Sequence, residues 1–408
     1  MPDWRIPLFD VSFGREEEEA ILRPLRAGWL TMGEEVLRLE EDLCRHTGAK
    51  HAIAVSSGTA ALHLACLGLG LGPGDEVLCP TLTFVACANT PRAVGAAVRF
   101  CESCGPQDLT VDPASLRDQA TGQMRAIMAV HYAGFPCRME EILEFARERD
   151  AFVIEDCAHA LFTTYRGRTL GRWGQVGCFS FYSNKNITCG EGGALITDDD
   201  ALAERLRRLR SHGMTVPTLD RHKGRAFSYE VEQPGLNYRL DEIRAALLRA
   251  QLGKLPRLLA RRREIFALYA ELLAGSPVLL AFAGGVRPDL VIGATGRNPS
   301  PYPLPKGARG NKGLFLPVAL SDVGVHIVVV LLPEGADREA VVERMKRAGI
   351  QTSLHYPPIH LFAAYREPRQ SLPRTEALAP RLLTLPLYPA MTDADVRLVV
   401  ATLLSSLG

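Results

Sequence analysis

The stretch HAIAVSSGTAALHLACLGL, residues 51–69, indicates the fold most directly. Its first part, His51–Val55, is a short apolar run of the kind that forms a buried strand, and Thr59–Leu69 is predicted as a helix. The small residues Ser56-Ser57-Gly58 form a turn between them. A strand that passes through a tight turn into a helix is the repeating unit of α/β folds. We therefore expect a parallel sheet covered by helices.

The same alternation of short apolar runs and amphipathic segments continues to about residue 200. Further strands are predicted over Glu76–Cys79, Ala97–Phe100, Arg125–His131, Phe152–Glu155 and Val176–Phe181. Helices, in which apolar residues recur at helical spacing, are predicted over Met139–Arg149 and Ala201–Arg210. The pattern predicts an α/β protein whose large domain is built on a mostly parallel central sheet.

The C-terminal part of the chain has a different pattern. Its predicted elements are the helices Asp241–Leu252 and Arg257–Leu273, the strand Val325–Leu332, and the helices Arg338–Ala348 and Asp393–Leu404. Residues 275–312, rich in Gly, Pro and Arg, are predicted as loops. We expect a large domain, 1–255, and a smaller C-terminal α/β domain, 256–408. The run Arg261-Arg262-Arg263 is interpreted as a solvated helix face.

Composition and charge are those of an ordinary globular protein. Of its residues, 47% are hydrophobic and 23% are charged. Its length of 408 residues exceeds what one hydrophobic core usually supports, which favours two domains. A net charge of +1 gives no reason to expect nucleic acid or a membrane surface as a partner. With no apolar run long enough for a secretory signal or a membrane span, we expect a cytoplasmic protein. Cys101 and Cys104 form a C-x-x-C without a second ligand pair nearby, so no metal site is predicted.

The turn at Ser57-Gly58 is a candidate anion site. Backbone N–H groups are unpaired where a helix begins, and the helix dipole favours negative charge there. Gly58 allows close approach of a ligand, and Thr59 adds a hydroxyl donor. The alternative interpretation is a plain helix N-cap with Ser57 or Thr59 as the capping residue.

The second candidate is Asp156, which follows the predicted strand Phe152–Glu155. Ligands of open α/β sheets bind beyond the carboxyl ends of the strands. A carboxylate buried there needs a cationic or hydrogen-bonding partner, and a protonated pyridine nitrogen is one such partner. The alternative is an Asp that pairs with an Arg or caps a helix. His159 alone is more often a structural histidine than a site residue.

The third candidate is Lys185, in the sequence CFSFYSNKNITCGEGG at 178–193. No other positive charge occurs in this stretch, and aromatic residues precede the lysine. Partial desolvation of such a lysine lowers its pKa and makes the amine a nucleophile towards carbonyl carbon. Ser180 could donate a hydrogen bond to a phosphate. The alternative is an ordinary lysine at the end of a strand.

Taken together, these motifs resemble the DegT/StrS-type sugar aminotransferases, which are fold-type I enzymes dependent on pyridoxal 5′-phosphate (PLP). The resemblance covers roughly residues 5–270 and 325–405. The matching motifs are SGTAAL at 57–62, PTLTFVA at 80–86, EDCAHA at 155–160, FSF at 179–181 with Lys185-Asn186, GEGG at 190–193, NYR at 237–239 and HYPPIH at 355–360. The occurrence of several motifs in the family's order makes chance similarity a poor explanation.

The resemblance implies a role for each matched residue around the cofactor. Lys185 would be the catalytic residue, holding PLP as a Schiff base and moving protons during the reaction. Asp156 would bind the pyridinium nitrogen. Phe84 would stack on the cofactor ring, and His159 would lie near the ring hydroxyl.

The resemblance also implies how the phosphate and the subunits are arranged. Gly58, Thr59 and Ser180 would hold the phosphate. Asn237 matches a residue that reaches the phosphate from a neighbouring subunit, which implies a homodimer with a shared active site. His355 and Tyr356 are candidate substrate-binding residues.

The activity that the resemblance implies is transfer of an amino group from an amino acid, usually L-glutamate, to a nucleoside-diphosphate keto-deoxysugar. Such a reaction belongs to amino-sugar synthesis for antibiotics or glycans. Amination of a cyclitol ketone, or another PLP-dependent sugar modification, is an alternative. The related sugar 3-dehydratases have histidine in place of the Schiff-base lysine, and Lys185 argues against that activity. A catalytically silent PLP-binding regulator is a further alternative from a different class.

Overall fold

In the computed structural model, residues 4–216, 218–287, 318–366 and 370–407 are described. Much of the predicted loop 275–312 lies outside these residues. The strands are β1 (His51–Val55), β2 (Glu76–Pro80), β3 (Ala97–Cys101), β4 (Ser103–Gly105), β5 (Asp108–Val111), β6 (Met124–Val130), β7 (Phe152–Asp156), β8 (Thr164–Tyr165), β9 (Arg168–Thr169), β10 (Val176–Ser180), β11 (Gly193–Thr197), β12 (Leu279–Leu280), β13 (Val286–Arg287), β14 (Val318–Ala319), β15 (Val328–Leu331) and β16 (Leu382–Leu385).

The helices alternate with these strands in the first half of the chain. They are α1 (Arg15–Ala27), α2 (Glu34–Thr47), α3 (Gly58–Gly68), α4 (Ala86–Ala93), α5 (Pro113–Gln119), α6 (Met139–Glu148), α7 (Asp200–Arg210), α8 (Thr218–His222), α9 (Glu242–Leu273), α10 (Arg338–Arg347), α11 (Pro373–Leu378) and α12 (Asp393–Ser405). None of the helices within the described residues is both long enough and apolar enough to cross a bilayer.

The central sheet has seven strands in the order β1-β11-β10-β7-β6-β2-β3. The pairs from β10 to β3 are parallel, whereas β11 is antiparallel to both of its neighbours. The predicted mostly parallel sheet is confirmed. Because β1, β10 and β7 run in the same direction, their carboxyl ends lie at one edge of the sheet.

Helix α3 is buried between the sheet and helices α4 and α7. Its sequence GTAALHLACLG is apolar on nearly every face, which suits a helix covered on all sides. Ser57 caps its first turn, accepting a hydrogen bond from the Ala60 N–H at 3.1 Å. Ser57 is therefore a helix N-cap, as the alternative interpretation proposed. The helix begins at the turn where an anion site was predicted.

Helix α9 is one continuous helix from Glu242 to Leu273, where two helices were predicted. It contains Pro256, which removes one backbone N–H and commonly kinks or ends a helix. Buried leucines before and after the proline, including Leu252 and Leu258, keep both halves packed on one core, and this packing outweighs the lost hydrogen bond. The domain boundary predicted at residue 255 falls inside α9 and stays a prediction.

The interpretation of the basic run in α9 as a solvated face was wrong for Arg262. This side chain is 2% exposed, and its Nη1 donates to the backbone oxygens of His326 at 3.1 Å and Leu387 at 3.2 Å. Burial lowers the pKa of the Arg262 guanidinium to about 10. Arg261 is half-buried and pairs with Asp393. The run therefore joins α9 to the C-terminal part of the chain.

The C-terminal part contains a three-stranded antiparallel sheet in the order β12-β15-β16. Strand β15 is the core of the predicted strand Val325–Leu332, and all four of its residues are buried. Helices α10 and α12 contact each other, and α12 packs on α9. The segment before β15 includes Gly324 and His326, which contact Asn186 in the turn after β10.

A buried carboxylate anchors the end of β7. Glu155 is fully buried, and its oxygens accept hydrogen bonds from the N–H groups of Gly171, Trp173 and Gly174 at 2.6–2.7 Å. His131 Nε2 lies 3.0 Å from the same carboxylate, while its Nδ1 accepts from a backbone N–H. With every oxygen satisfied, this carboxylate costs little to bury and holds the following loop in place.

Candidate active site

The carboxyl ends of β1 and β10 bring the predicted anion-binding turn and Ser180 together. A Cβ atom placed on Gly58 would lie 2.7 Å from the Cβ of Ser180 and 3.0 Å from its Oγ. Only glycine allows this approach, and the reason is space rather than an unusual φ. Thr59 is exposed at the start of α3. The structure therefore brings Gly58, Thr59 and Ser180 together as predicted from the sequence.

Asp156 is the last residue of β7 and is 6% exposed. Its Oδ1 accepts a hydrogen bond from the Ala158 N–H at 2.9 Å. Its Oδ2 lies 2.9 Å from the Sγ of Cys87 on helix α4. The alternative partner offered by the sequence, an Arg, is not found at this carboxylate within the described residues. Asp156 is therefore a buried carboxyl group at the carboxyl-end edge of the sheet.

Lys185 lies in the turn after β10, where its N–H donates to the Tyr182 oxygen at 2.9 Å. Burial lowers the pKa of its amine from 10.5 to about 8, and the negative charge of Asp156 partly opposes this change. The amine and the carboxylate are thus close enough to interact electrostatically. This proximity fits the resemblance, by which both groups would contact one PLP molecule.

His159 is buried beside the lysine and makes two hydrogen bonds. Its Nδ1 accepts from the Ala133 N–H at 3.3 Å, so the ring proton belongs to Nε2. Nε2 lies 2.9 Å from the Tyr356 hydroxyl oxygen and donates to it. Burial, and then the charge of Lys185, hold the pKa of His159 well below its usual value. His159 is therefore a neutral donor, and the Tyr356 hydroxyl proton is left to reach another acceptor.

The aromatic wall of this edge is formed by Phe84 and Tyr356. Phe84 is 54% exposed, and its ring centroid lies 5.9 Å from that of Tyr356. A large aromatic side chain left so open beside a buried polar cluster offers a face for a planar ligand.

His355 and Tyr356 have adjacent rings but different hydrogen-bond partners. The His355 Nδ1 lies 3.0 Å from the hydroxyl of Thr384 on β16, and burial together with the charge of Lys185 lowers its pKa to about 4. The Tyr356 side chain instead belongs to the cluster around His159. Both residues lie at the candidate cofactor site: His355 is near enough to Lys185 to interact with its charge, and Tyr356 is hydrogen-bonded to His159. Their predicted contact with substrate stays a prediction.

Asn237 lies on a strand-like segment beside the turn at Ser56-Ser57-Gly58. Its backbone bridges to Ser211, and the next residues pair with the end of β1 through Val55 and Ser56. The side chain of Asn237 is exposed. Its predicted contact with the phosphate of a second subunit stays a prediction.

Two residues that the sequence analysis did not single out for the site lie next to the lysine. Asn186 donates to the Gly324 oxygen at 3.0 Å, and its Oδ1 lies 3.1 Å from His326 Nδ1. His326 Nε2 is buried without a partner among the described residues, and its ring centroid is 4.4 Å from that of His159. The sequence does contain an indication of His326: it is the one polar side chain in the apolar run 323–332, and a polar residue at a buried position often has a functional or structural role.

These features together define the class of protein. A mostly parallel sheet presents, at one edge, a buried carboxylate, a lysine with a lowered pKa, an open aromatic ring and a glycine–serine turn. This is the fold and site of a fold-type I PLP-dependent aminotransferase.

The comparisons with known proteins identify the family. Residues 12–291 and 308–404 match the DegT/DnrJ/EryC1/StrS aminotransferase family, and the chain belongs to it. Its cofactor is PLP, on which enzymes of this family depend.

Several solved structures are similar over nearly the whole chain. DesV from S. venezuelae is 32% identical, with a TM-score of 0.82 and 98% of each chain covered. The aminotransferase TlmJ from Streptoalloteichus hindustanus is 30% identical, also with a TM-score of 0.82 and 98% of each chain covered. DesI, whose structure was determined in the presence of its TDP-sugar product, is 29% identical with a TM-score of 0.79, covering 96% of this chain and 90% of its own.

Proposed function

We propose that this aminotransferase moves an amino group from L-glutamate to the keto group of a nucleoside-diphosphate keto-deoxysugar. Its place would be in the synthesis of amino sugars for an antibiotic or a glycan. The observation that carries the proposal is the Lys185 amine, with a pKa lowered to about 8 beside the buried carboxylate of Asp156. The TDP-sugar product of DesI supports the choice of a nucleotide sugar as the acceptor.

The residues present fit PLP. The buried Asp156 carboxylate would bind the protonated ring nitrogen, and Phe84 would cover one face of the ring. The His159 Nε2–H would lie near the ring hydroxyl, shared with Tyr356. The phosphate would be held by Gly58 and Thr59 at the start of α3 and by Ser180 at the end of β10. When bound, PLP supplies an electron-withdrawing ring that stabilises negative charge at the carbon bearing the amino group.

Lys185 would move the proton in both half-reactions. An amine with a pKa near 8 is partly uncharged at neutral pH, so it can take a proton from carbon and return it. The neutral rings of His159 and His326 add no positive charge near it, because burial lowers the pKa of both well below the usual value. The lysine would therefore be the group that exchanges protons in this cavity.

The test of this function is spectroscopic. Purified holoenzyme mixed with L-glutamate should lose the absorbance of its lysine-bound cofactor. Nucleoside-diphosphate keto-deoxysugars should then be added one at a time, and the true substrate should restore the absorbance of the lysine-bound cofactor. Restoration by a cyclitol ketone alone would favour the alternative substrate. A spectrum unchanged by any amino acid would contradict the proposal and favour a silent PLP-binding protein.

The active site would be completed by a second copy of the chain, in a cytoplasmic homodimer. The support is the exposure of Asn237 together with large apolar side chains before it, Phe227, Tyr229 and Val231, which are the kind of surface that an interface covers. The division into domains 1–255 and 256–408 belongs to the same proposal, with the dimer contact made by the larger domain.

Mixing two inactive variants tests the shared site. A Lys185→Ala protomer and an Asn237→Ala protomer would form a mixed dimer in which one site carries both defects and the other carries neither. Activity should therefore return after the two are unfolded and refolded together, and each variant refolded alone is the control. A sedimentation profile of a monomer, or no recovery of activity in a confirmed mixed dimer, would contradict the shared site.

A further inference from the structure

The hydrogen bonds of Asp156 include one from a cysteine. Among the described residues, two donors reach this carboxylate: the Ala158 N–H at Oδ1 and the Cys87 thiol at Oδ2, each at 2.9 Å. The backbone donor comes from the loop directly after β7. The thiol comes from helix α4, which lies 69 residues earlier in the chain. Cys87 therefore ties a separate element to the carboxylate.

The direction of this hydrogen bond follows from the state of the thiol. Cys87 is fully buried, and burial, followed by the negative charge of Asp156, raises the pKa of its thiol well above the usual value. The sulfur thus keeps its proton and donates it to Oδ2. The Thr83 hydroxyl lies 3.6 Å from the same sulfur and is placed to donate to it. A short chain of donors runs from Thr83 through Cys87 to Asp156.

The place of Cys87 in the fold gives this bond a consequence for the cofactor. Cys87 lies in the first turn of α4, three residues after Phe84, whose ring is proposed to cover the cofactor. Given the proposed role of Asp156, we propose that Cys87 is a positioning residue. Its thiol holds the Asp156 carboxylate in the orientation that the PLP ring nitrogen requires, and it links that carboxylate to the segment that carries Phe84.

Kinetics of three variants separate this role from simple packing. Cys87→Ala should lower kcat about tenfold with little change in KM, since one hydrogen bond to a charged group is lost. Cys87→Ser keeps a donor and should recover most of kcat. The control is Cys178→Ala, because Cys178 is buried on β10 opposite Asp156 and makes no hydrogen bond to it. Equal kcat in Cys87→Ala and wild type, or equal loss in the Ser and Ala variants, would overturn the inference.

Infrared spectroscopy of the apoenzyme provides a measurement that does not depend on activity. The S–H stretch of Cys87, isolated as wild type minus Cys87→Ala, should lie at lower frequency than that of Cys178, because a hydrogen-bonded S–H bond is weakened. It should move to higher frequency in Asp156→Asn, a comparison that remains available if Cys87→Ala does not fold. A Cys87 band at the frequency of Cys178, or one unmoved by Asp156→Asn, would overturn the inference. Failure of PLP to attach at Lys185 would instead overturn the proposed function and leave the band as expected.

Discussion

Lys185 should react as an uncharged amine at a pH where an ordinary lysine is fully protonated. Burial lowers its pKa from 10.5 to about 8. At pH 7 about one tenth of such amines are uncharged, against about one in three thousand for an ordinary lysine, so the reactive fraction rises roughly 300-fold. Reductive methylation of the apoenzyme with formaldehyde, followed by peptide mass spectrometry, measures this reactivity residue by residue. The labelling rate at Lys185 should rise with pH and level off just above pH 8.

Lys254 is the internal control for this experiment. Burial acts to lower its pKa, but hydrogen bonds to Glu17 and Glu16 outweigh burial and raise it. Its labelling rate should therefore still be rising above pH 10. In Asp156→Asn the midpoint for Lys185 should move below that of wild type, because the charge that opposes the lowering is gone. A Lys185 midpoint close to that of Lys254 would refute the reasoning.

Three further predictions concern the surroundings of the lysine. Asp156→Asn should lower kcat severely with a smaller loss of PLP affinity; near-normal rates would exclude a pyridinium role. Gly58→Ala should weaken PLP binding in a fluorescence titration, because the new Cβ would meet Ser180 at 2.7 Å; Gly253→Ala, on an exposed face of α9, is the matched control. Glu155→Gln should cost about 3 kcal/mol in urea unfolding, since it disturbs a fully hydrogen-bonded buried carboxylate; an unchanged midpoint would contradict the anchoring role.

Much of the fold could be predicted because local patterns and tertiary structure agree. Strand β1 has the predicted bounds His51–Val55, and the other predicted strands of the central sheet differ by one residue at their ends. The exceptions are places where tertiary packing decides. Pro256 favours a break that the buried leucines of α9 override. Strand β11 is as long as β1, but it follows a Gly-rich turn directly and was not predicted; its pairing with β1 and β10 on both sides stabilises it.

The candidate site could be predicted only in part, for a related reason. The order of Gly58, Asp156 and Lys185 along the chain, each at a strand end, places them at one sheet edge without coordinates. The contacts of Cys87 and His326 could not be predicted, because each comes from an element distant in sequence and depends on side-chain orientation. In the sequence Cys87 resembles an ordinary core residue, whereas His326 stands out as the one polar residue of an apolar run but without any indication of its partner.

The central claim is that PLP forms its covalent bond with the Lys185 amine while Asp156 holds the ring. Borohydride reduction of the PLP-loaded protein, followed by digestion and mass spectrometry, tests this directly. We predict that the phosphopyridoxyl group is found on the peptide containing Lys185 and is absent from Lys185→Ala. Its attachment at a different lysine, or its complete absence from protein saturated with PLP, would contradict the account.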